Sequence, residues 1–354
     1  SEEDLIRMGY LEHPTEGLAE MLKYKLTKSN TFETIRFVNN GTGAMTIDKD
    51  IVKAILYPSA TANSVLTTLD LGEATCTGFS KETFAAADGV HVQGTLALTN
   101  LTLPLTNKTS VLSESTGTNV GKMVVPTQVI SKLNQVPTTV TIPEGYDRVG
   151  DEAFANSSIT NINFPNTLTL IGESAFENCT NIASITLNEG LENIGKKAFM
   201  DTPLTALHFP STLQIIHDEA FRNCFIYGLK FNAGLKFIGK GAFALPNNNK
   251  AETTLEIPAS MRYIGAIAFG NRRYQDVFFY GENAPLMPFG TIEKWEGTAA
   301  AFDAVTLMGN NGFDSKKGEI SDDANTGYAN RENYKKNIRR CLFLPASLPK
   351  RFDR

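Results

Sequence analysis

Val149-Gly150-Asp151-Glu152-Ala153-Phe154 is the first of six copies of one phrase: a branched aliphatic residue, Gly, two variable residues, then Ala-Phe. The other copies are Ile171-Gly172 to Ala175-Phe176, Ile194-Gly195 to Ala198-Phe199, Ile216-His217 to Ala220-Phe221, Ile238-Gly239 to Ala242-Phe243 and Ile264-Gly265 to Ala268-Phe269. The Phe-to-Phe steps are 22, 23, 22, 22 and 26 residues. A fixed period in the twenties marks a solenoid, in which a short unit buries its apolar face only by stacking on a neighbour. Such a fold directs attention to surfaces rather than to a catalytic pocket.

Working outward, each repeat opens on two apolar residues that flank a variable one: Val140/Ile142, Ile162/Phe164, Ile185/Leu187, Leu207/Phe209, Leu229/Phe231 and Leu255/Ile257. That alternation predicts a short strand with one buried face. Pro143, Pro165, Pro210 and Pro258 follow, with Asn188 and Asn232 in the other two repeats. Proline has no amide to donate, so it ends the strand and forces a turn. The phrase glycine predicts either a positive φ or a backbone passing too close for a Cβ. His217 takes that place once. The Phe side chains should stack into a spine, with the small Ala letting neighbouring backbones approach. Asn156, Asn178, Asp201, Asn223 and Asn271 stand two residues after the Phe, where a short polar side chain bonds turn amides locally.

Composition agrees with a folded repeat protein. The 354 residues are 42% hydrophobic and 20% charged, with a net charge of −5. There is no basic stripe of the kind a nucleic-acid binder carries. No apolar run approaches the ~20 residues of a membrane helix. Cys179 and Cys224 each stand three residues after a phrase Phe, two rungs apart. Their Cα atoms should therefore lie ~10 Å apart at ~4.8 Å per rung, beyond the ~7 Å that a disulfide spans. Both are read as buried thiols in a small-residue slot. No zinc, phosphate-loop or nucleophile motif is present, so the reading assigns no catalytic residue, metal or cofactor.

The phrase and its surroundings resemble the BspA-like leucine-rich repeat of bacterial surface proteins. The resemblance is fullest at Ile162-Asn163-Phe164-Pro165, Leu168, Ile171-Gly172, Ala175-Phe176 and Asn178-Cys179. Outer matches are Leu69-Asp70-Leu71, Leu96-Ala97-Leu98, Val277-Phe278-Phe279-Tyr280 and Leu342-Phe343-Leu344-Pro345. The expected fold is an α/β repeat solenoid of leucine-rich-repeat type, a right-handed superhelix with short parallel strands, capped at both ends. The resemblance implies an exported protein of the bacterial cell surface, with a lipid anchor upstream of Ser1 compatible with it. It implies adhesion to an extracellular or host surface protein, such as a matrix protein.

Four regions follow: a helical cap over residues 1–30, a degenerate repeat region over 31–137, six repeats over 138–281, and a C-terminal excursion and cap over 282–354. Residues 31–105 hold alternating strand-like runs such as Thr34-Ile35-Arg36-Phe37-Val38. Residues 106–122, the run Asn247-Asn248-Asn249 and the polar stretch 309–337 read as loops. The candidate ligand-binding residues are those between the buried strand pairs: Thr141, Asn163, Thr186, His208, Lys230 and Glu256. The leading function is a non-enzymatic protein-binding module, with no nucleic acid and no membrane span. The alternative is glycan binding, for which Trp295 and Tyr328 are the nearest aromatic candidates.

Overall fold

The computed structural model describes residue 27, residues 31–39, 45–59, 61–86, 93–107, 121–133, 135–246 and 251–280, residue 285, and the strand residues 292–295, 302–305, 313–314, 319–320 and 341–343. The chain divides into two compact units. One comprises Ser1–Leu168 with Cys179–Ile182, the other Thr169–Asn178 with Ala183–Arg354. The expected N-terminal helix, apart from Thr27, lies outside the described residues, as do Asn247–Asn249, Tyr328 and nearly all of 309–337.

The first unit contains β1 (Thr34–Arg36), β2 (Met45–Ile47), α1 (Lys49–Leu56), β3 (Thr68–Asp70), β4 (Ala74–Cys76), β5 (Asn100–Thr102), β6 (Val124–Val125), β7 (Thr139–Thr141), β8 (Arg148–Val149) and β9 (Asn161–Asn163). Strands β1, β3, β5, β7 and β9 form one parallel sheet in that order. Their central residues align as Leu69, Leu101, Val140 and Ile162, all buried. Two further parallel pairs, β2 with β4 and β6 with β8, carry the second ladder of these rungs.

Within residues 31–105, α1 stands between the strands β2 and β3. The Asp48 side chain caps this helix by accepting from the Asp50 and Ile51 amides at 3.0 Å each. Its buried Ile51, Val52, Ile55 and Leu56 follow helical spacing. Leu96 and Leu98 are buried but do not form the rung strand, which falls at Asn100–Thr102.

The second unit contains β10 (Leu170–Ile171), β11 (Asn193–Ile194), β12 (Ile215–Ile216), β13 (Phe237–Ile238), β14 (Ala251–Ile257), β15 (Tyr263–Ile264), β16 (Arg273–Phe279), β17 (Ile292–Trp295), β18 (Phe302–Val305), β19 (Phe313–Asp314), β20 (Glu319–Ile320) and β21 (Cys341–Phe343). Strands β10, β11, β12, β13 and β15 run parallel in that order. β16 pairs in parallel with β14 and with β21, so Leu342-Phe343 lies on a rung strand, and Val277-Phe278-Phe279, expected as a closing strand, is itself paired onward.

In this unit the regular ladder sits on the two residues ending in the phrase aliphatic, not on the apolar pair that opens the repeat. Thr186 and His208 belong to no strand, and Lys230 makes one isolated bridge to Glu256. The glycines explain the regularity. A Cβ at Gly195 would stand 2.6 Å from the Gly172 carbonyl carbon, and one at Gly239 or Gly265 would stand 2.3 Å from the amide nitrogen of Asp218 or Lys240. None of these glycines has positive φ. Of the two expected reasons for glycine, close approach is therefore the operative one. His217 shares the negative-φ backbone, and its amide still bonds the Ile194 carbonyl at 3.0 Å.

The left-handed positions lie elsewhere. The residue before each Ala has φ of 52° at Ser174, 54° at Lys197, 57° at Glu219, 61° at Gly241 and 49° at Ile267. The turn residues Asn178, Asp201, Asn223 and Asn271 have φ between 58° and 64°. Short polar side chains tolerate that region. Asn223 Nδ2 donates to Asp201 Oδ1 at 2.6 Å, and Asn271 Nδ2 to the Leu245 carbonyl at 2.6 Å. These bonds tie one rung to the one before.

The core of the second unit is the expected spine. Phe176, Phe199, Phe221, Phe243 and Phe269 are each fully buried. Successive ring centroids lie 5.1, 5.3, 5.3 and 5.7 Å apart, with interplanar angles of 7° or less. Three residues beyond the Phe is a buried donor slot. In the first unit Cys179 Sγ donates to the Phe154 carbonyl at 3.1 Å. In the second, Cys224 Sγ donates to the Phe199 carbonyl at 3.0 Å. Both are free thiols, as is Cys76. Burial pushes the Cys76 and Cys224 thiols up to about 11.

Arg272 fills the same slot in the last phrase copy and is fully buried. Its Nε donates to the Phe243 carbonyl at 2.7 Å, and Nη1 to the Ile226 carbonyl at 2.7 Å. Nη2 donates to the Cys224 carbonyl at 3.1 Å. Nη1 also bonds the buried Glu252 carboxylate at 3.0 Å, whose other oxygen accepts from the Gly228 amide at 3.1 Å.

Candidate surface sites

The six sequence-predicted residues fall in two units. Thr141 and Asn163 belong to the first, on β7 and β9, where they are register partners. Asn163 is exposed and its Nδ2 donates to Thr141 Oγ1 at 2.9 Å. Thr186, His208, Lys230 and Glu256 belong to the second and are all exposed. Of these four, only Lys230 and Glu256 are joined by a backbone bridge. Trp295 lies on β17.

In the first unit the outward residues of β3, β5, β7 and β9 form two columns. One is Thr68, Asn100, Thr139 and Asn161; the other is Asp70, Thr102, Thr141 and Asn163. A Thr precedes each of these four strands: Thr67, Thr99, Thr138 and Thr160. Their hydroxyls donate to the Glu33, Thr67, Thr99 and Thr138 carbonyls at 2.9 to 3.1 Å, each reaching the rung before. The amides of Asn100 and Asn161 donate in turn to Thr99 and Thr160 Oγ1 at 3.1 and 3.2 Å. The charge on Asp70 is met by Arg36 at 2.9 Å and by the Gly72 amide at 3.1 Å.

Sequence reasoning saw only two members of this array. The tetrapeptides Thr67–Asp70, Thr99–Thr102, Thr138–Thr141 and Thr160–Asn163 share one pattern, but their starts are 32, 39 and 22 residues apart. A search for a fixed period passes over them. A search for Thr followed by Thr or Asn, an aliphatic residue, then Asp, Thr or Asn would have found them.

In the second unit the outward residues of the regular ladder are Leu170, Asn193, Ile215, Phe237 and Tyr263, all half-buried. The rings of Phe237 and Tyr263 stack at 4.8 Å with an interplanar angle of 13°. His217 packs at 6.0 Å from Phe237, and burial holds its imidazole below the usual histidine range. Lys236 and Arg262, each one residue before a ring of the pair, are exposed. Lys236 Nζ donates to Gln214 Oε1 at 2.8 Å. Sequence reading passed over this column because it took the opening apolar pair as the ladder.

Among the described residues, no group of three or more His, Cys, Asp or Glu side chains could hold a metal ion. No helix of the described residues is long and apolar enough to cross a membrane.

Comparison with known proteins places the repeats in a family. Residues 133–250 match the BspA type leucine rich repeat region, in 6 copies. The phrase copy at Ile264–Phe269 lies beyond that match. No curated protein matches the chain. Similar solved structures include a leucine-rich repeat protein from Bacteroides ovatus, at 19% identity and a TM-score of 0.37 over 55% of this chain and 59% of that one. The T. pallidum leucine rich repeat protein is 25% identical with a TM-score of 0.33, over 41% of this chain and 74% of that one. The pneumococcal vaccine antigen PcpA is 21% identical with a TM-score of 0.33, over 55% of this chain and 43% of that one. This chain thus spans 59% of the length of the Bacteroides ovatus protein.

Proposed function

From a chain whose residues 133–250 are BspA-type leucine-rich repeats, we propose a non-enzymatic binding module of the bacterial cell surface whose ligand is an extracellular or host protein. The observation that carries this reading is the stacked Phe237–Tyr263 pair on the outer face of the second unit's ladder, with Lys236 and Arg262 beside it. Protein interfaces concentrate their energy in aromatic and Arg anchors near the centre of a patch. The flanking cations favour an acidic partner surface and faster encounter with it. Thr186, His208, Lys230 and Glu256 are exposed in the same unit.

The test is binding of the purified chain to a panel of purified extracellular-matrix proteins by surface plasmon resonance. Phe237→Ser with Tyr263→Ser should weaken a positive interaction by tenfold or more, while circular dichroism stays unchanged. Lys236→Glu with Arg262→Glu should slow association, most strongly at low salt. Binding that survives both pairs of changes would refute this assignment. Binding lost only with His208→Ala and Lys230→Ala would move the site to those residues.

A further inference from the structure

The outer face of β3, β5, β7 and β9 has a chemistry unlike that of the Phe237–Tyr263 patch. Its two columns hold no aromatic and no aliphatic side chain. The one ionised group among them, Asp70, is already paired with Arg36. What remains is a lattice of hydroxyls and primary amides, repeated once per rung at ~4.8 Å.

We infer that this face docks an uncharged, linear, β-linked polysaccharide lying across the strands, with one sugar over each rung. Three features select that occupant. A protein partner needs apolar anchors, which the face does not offer. A phosphorylated, sulfated or nucleic-acid polymer needs uncompensated Lys or Arg, and Arg36 beside the columns is paired with Asp70. A neutral glycan needs donors and acceptors at regular intervals, and an extended β-linked hexose repeats on nearly the rung length. Thr hydroxyls serve as both donor and acceptor, and Asn amides likewise present both functions.

The face is also organised in advance. Its Thr side chains are β-branched and stiff. The Asn100, Asn161 and Asn163 amides are held by Thr hydroxyls at 2.9 to 3.2 Å. Little side-chain freedom is lost when a ligand arrives, so individually weak hydrogen bonds can add along the columns.

The inference concerns a different unit and a different ligand class from the protein-binding reading, so either can fail alone. It is tested by affinity electrophoresis of the whole chain in gels containing a soluble, uncharged β-glucan, with dextran as the α-linked control and heparin as the charged one. The β-glucan should retard migration and the two controls should not. Asn161→Ala with Asn163→Ala should weaken retardation at least tenfold, and Thr139→Lys, which lays a long cation across one column, should abolish it. Tyr263→Ser should leave it unchanged. Calorimetry with β-linked oligosaccharides should show affinity rising with length up to four sugars, one for each of the four rungs. Absence of retardation overturns the proposal. So does retardation that survives both lattice variants, or retardation by heparin alone.

Discussion

Arg272 offers the sharpest test of how the second unit is held together. Its guanidinium is fully buried, and it bonds three carbonyls from two earlier turns and the Glu252 carboxylate. Replacing Arg272 by Met keeps much of the volume but strands the Glu252 charge, 5% exposed, without its guanidinium partner. Removing one partner of a buried pair costs about 3–5 kcal/mol. The lost bonds to Cys224, Ile226 and Phe243 place Arg272→Met at the upper end of that range. Glu252→Leu leaves the cation on three carbonyls and should cost somewhat less. The double variant contains no stranded charge. It should therefore fall short of the summed single losses by a coupling energy of about 2–3 kcal/mol. Guanidinium unfolding followed by far-UV circular dichroism measures all three, with the denaturant slope checked for constancy. A coupling below about 0.5 kcal/mol, or an Arg272→Met within about 1 kcal/mol of wild type, would show that the pair is not a structural lock.

Other expectations follow from the same geometry. Phe199→Ala removes a ring stacked on both sides and should cost about 3–5 kcal/mol by denaturant midpoint, against less than about 1 kcal/mol for Phe225→Ala, whose side chain is 37% exposed. Equal midpoints for the two would contradict the spine. Gly239→Ala forces a Cβ to 2.3 Å from backbone and should destabilise by about 1–3 kcal/mol in the same assay, although a Cβ is tolerated at His217 one rung earlier. Ile267 is β-branched at φ 49° and 42% exposed, so Ile267→Gly should raise the melting temperature by relieving about 1 kcal/mol of left-handed strain. An unchanged or lower melting temperature would argue against strain there. The Cys76 and Cys224 thiols should resist alkylation at pH 8 in the native state and react on unfolding. Their pKa values rise from 9.0 to about 11 on folding. The stability they add is thus complete below pH 9 and is lost as pH climbs toward 11, because the unfolded thiols ionise first. A denaturant midpoint that stays flat over that window would contradict their burial.

The repeat and its interior can be read from the residues alone. Period, Ala-Phe and small slot residues are set by contacts between identical positions in successive rungs, so they recur at fixed spacing and can be read without coordinates. The Phe176–Phe269 stack and the buried thiols of Cys179 and Cys224 were legible for that reason. Which backbone segment became the regular ladder depends on how the rungs pack. Several segments per rung alternate in hydropathy, and the glycine column, by letting backbones approach, favours the Ile-Gly segment over the opening pair. Tertiary structure also decided where left-handed residues sit, because Ser174, Lys197 and Glu219 carry no turn signature in sequence. The two surfaces were hidden for a further reason. Outward residues are not held to one identity by the buried core, so the Thr/Asn tetrapeptides drift in spacing and the Phe237–Tyr263 pair has no counterpart in other repeats. Both come together only when the rungs are stacked.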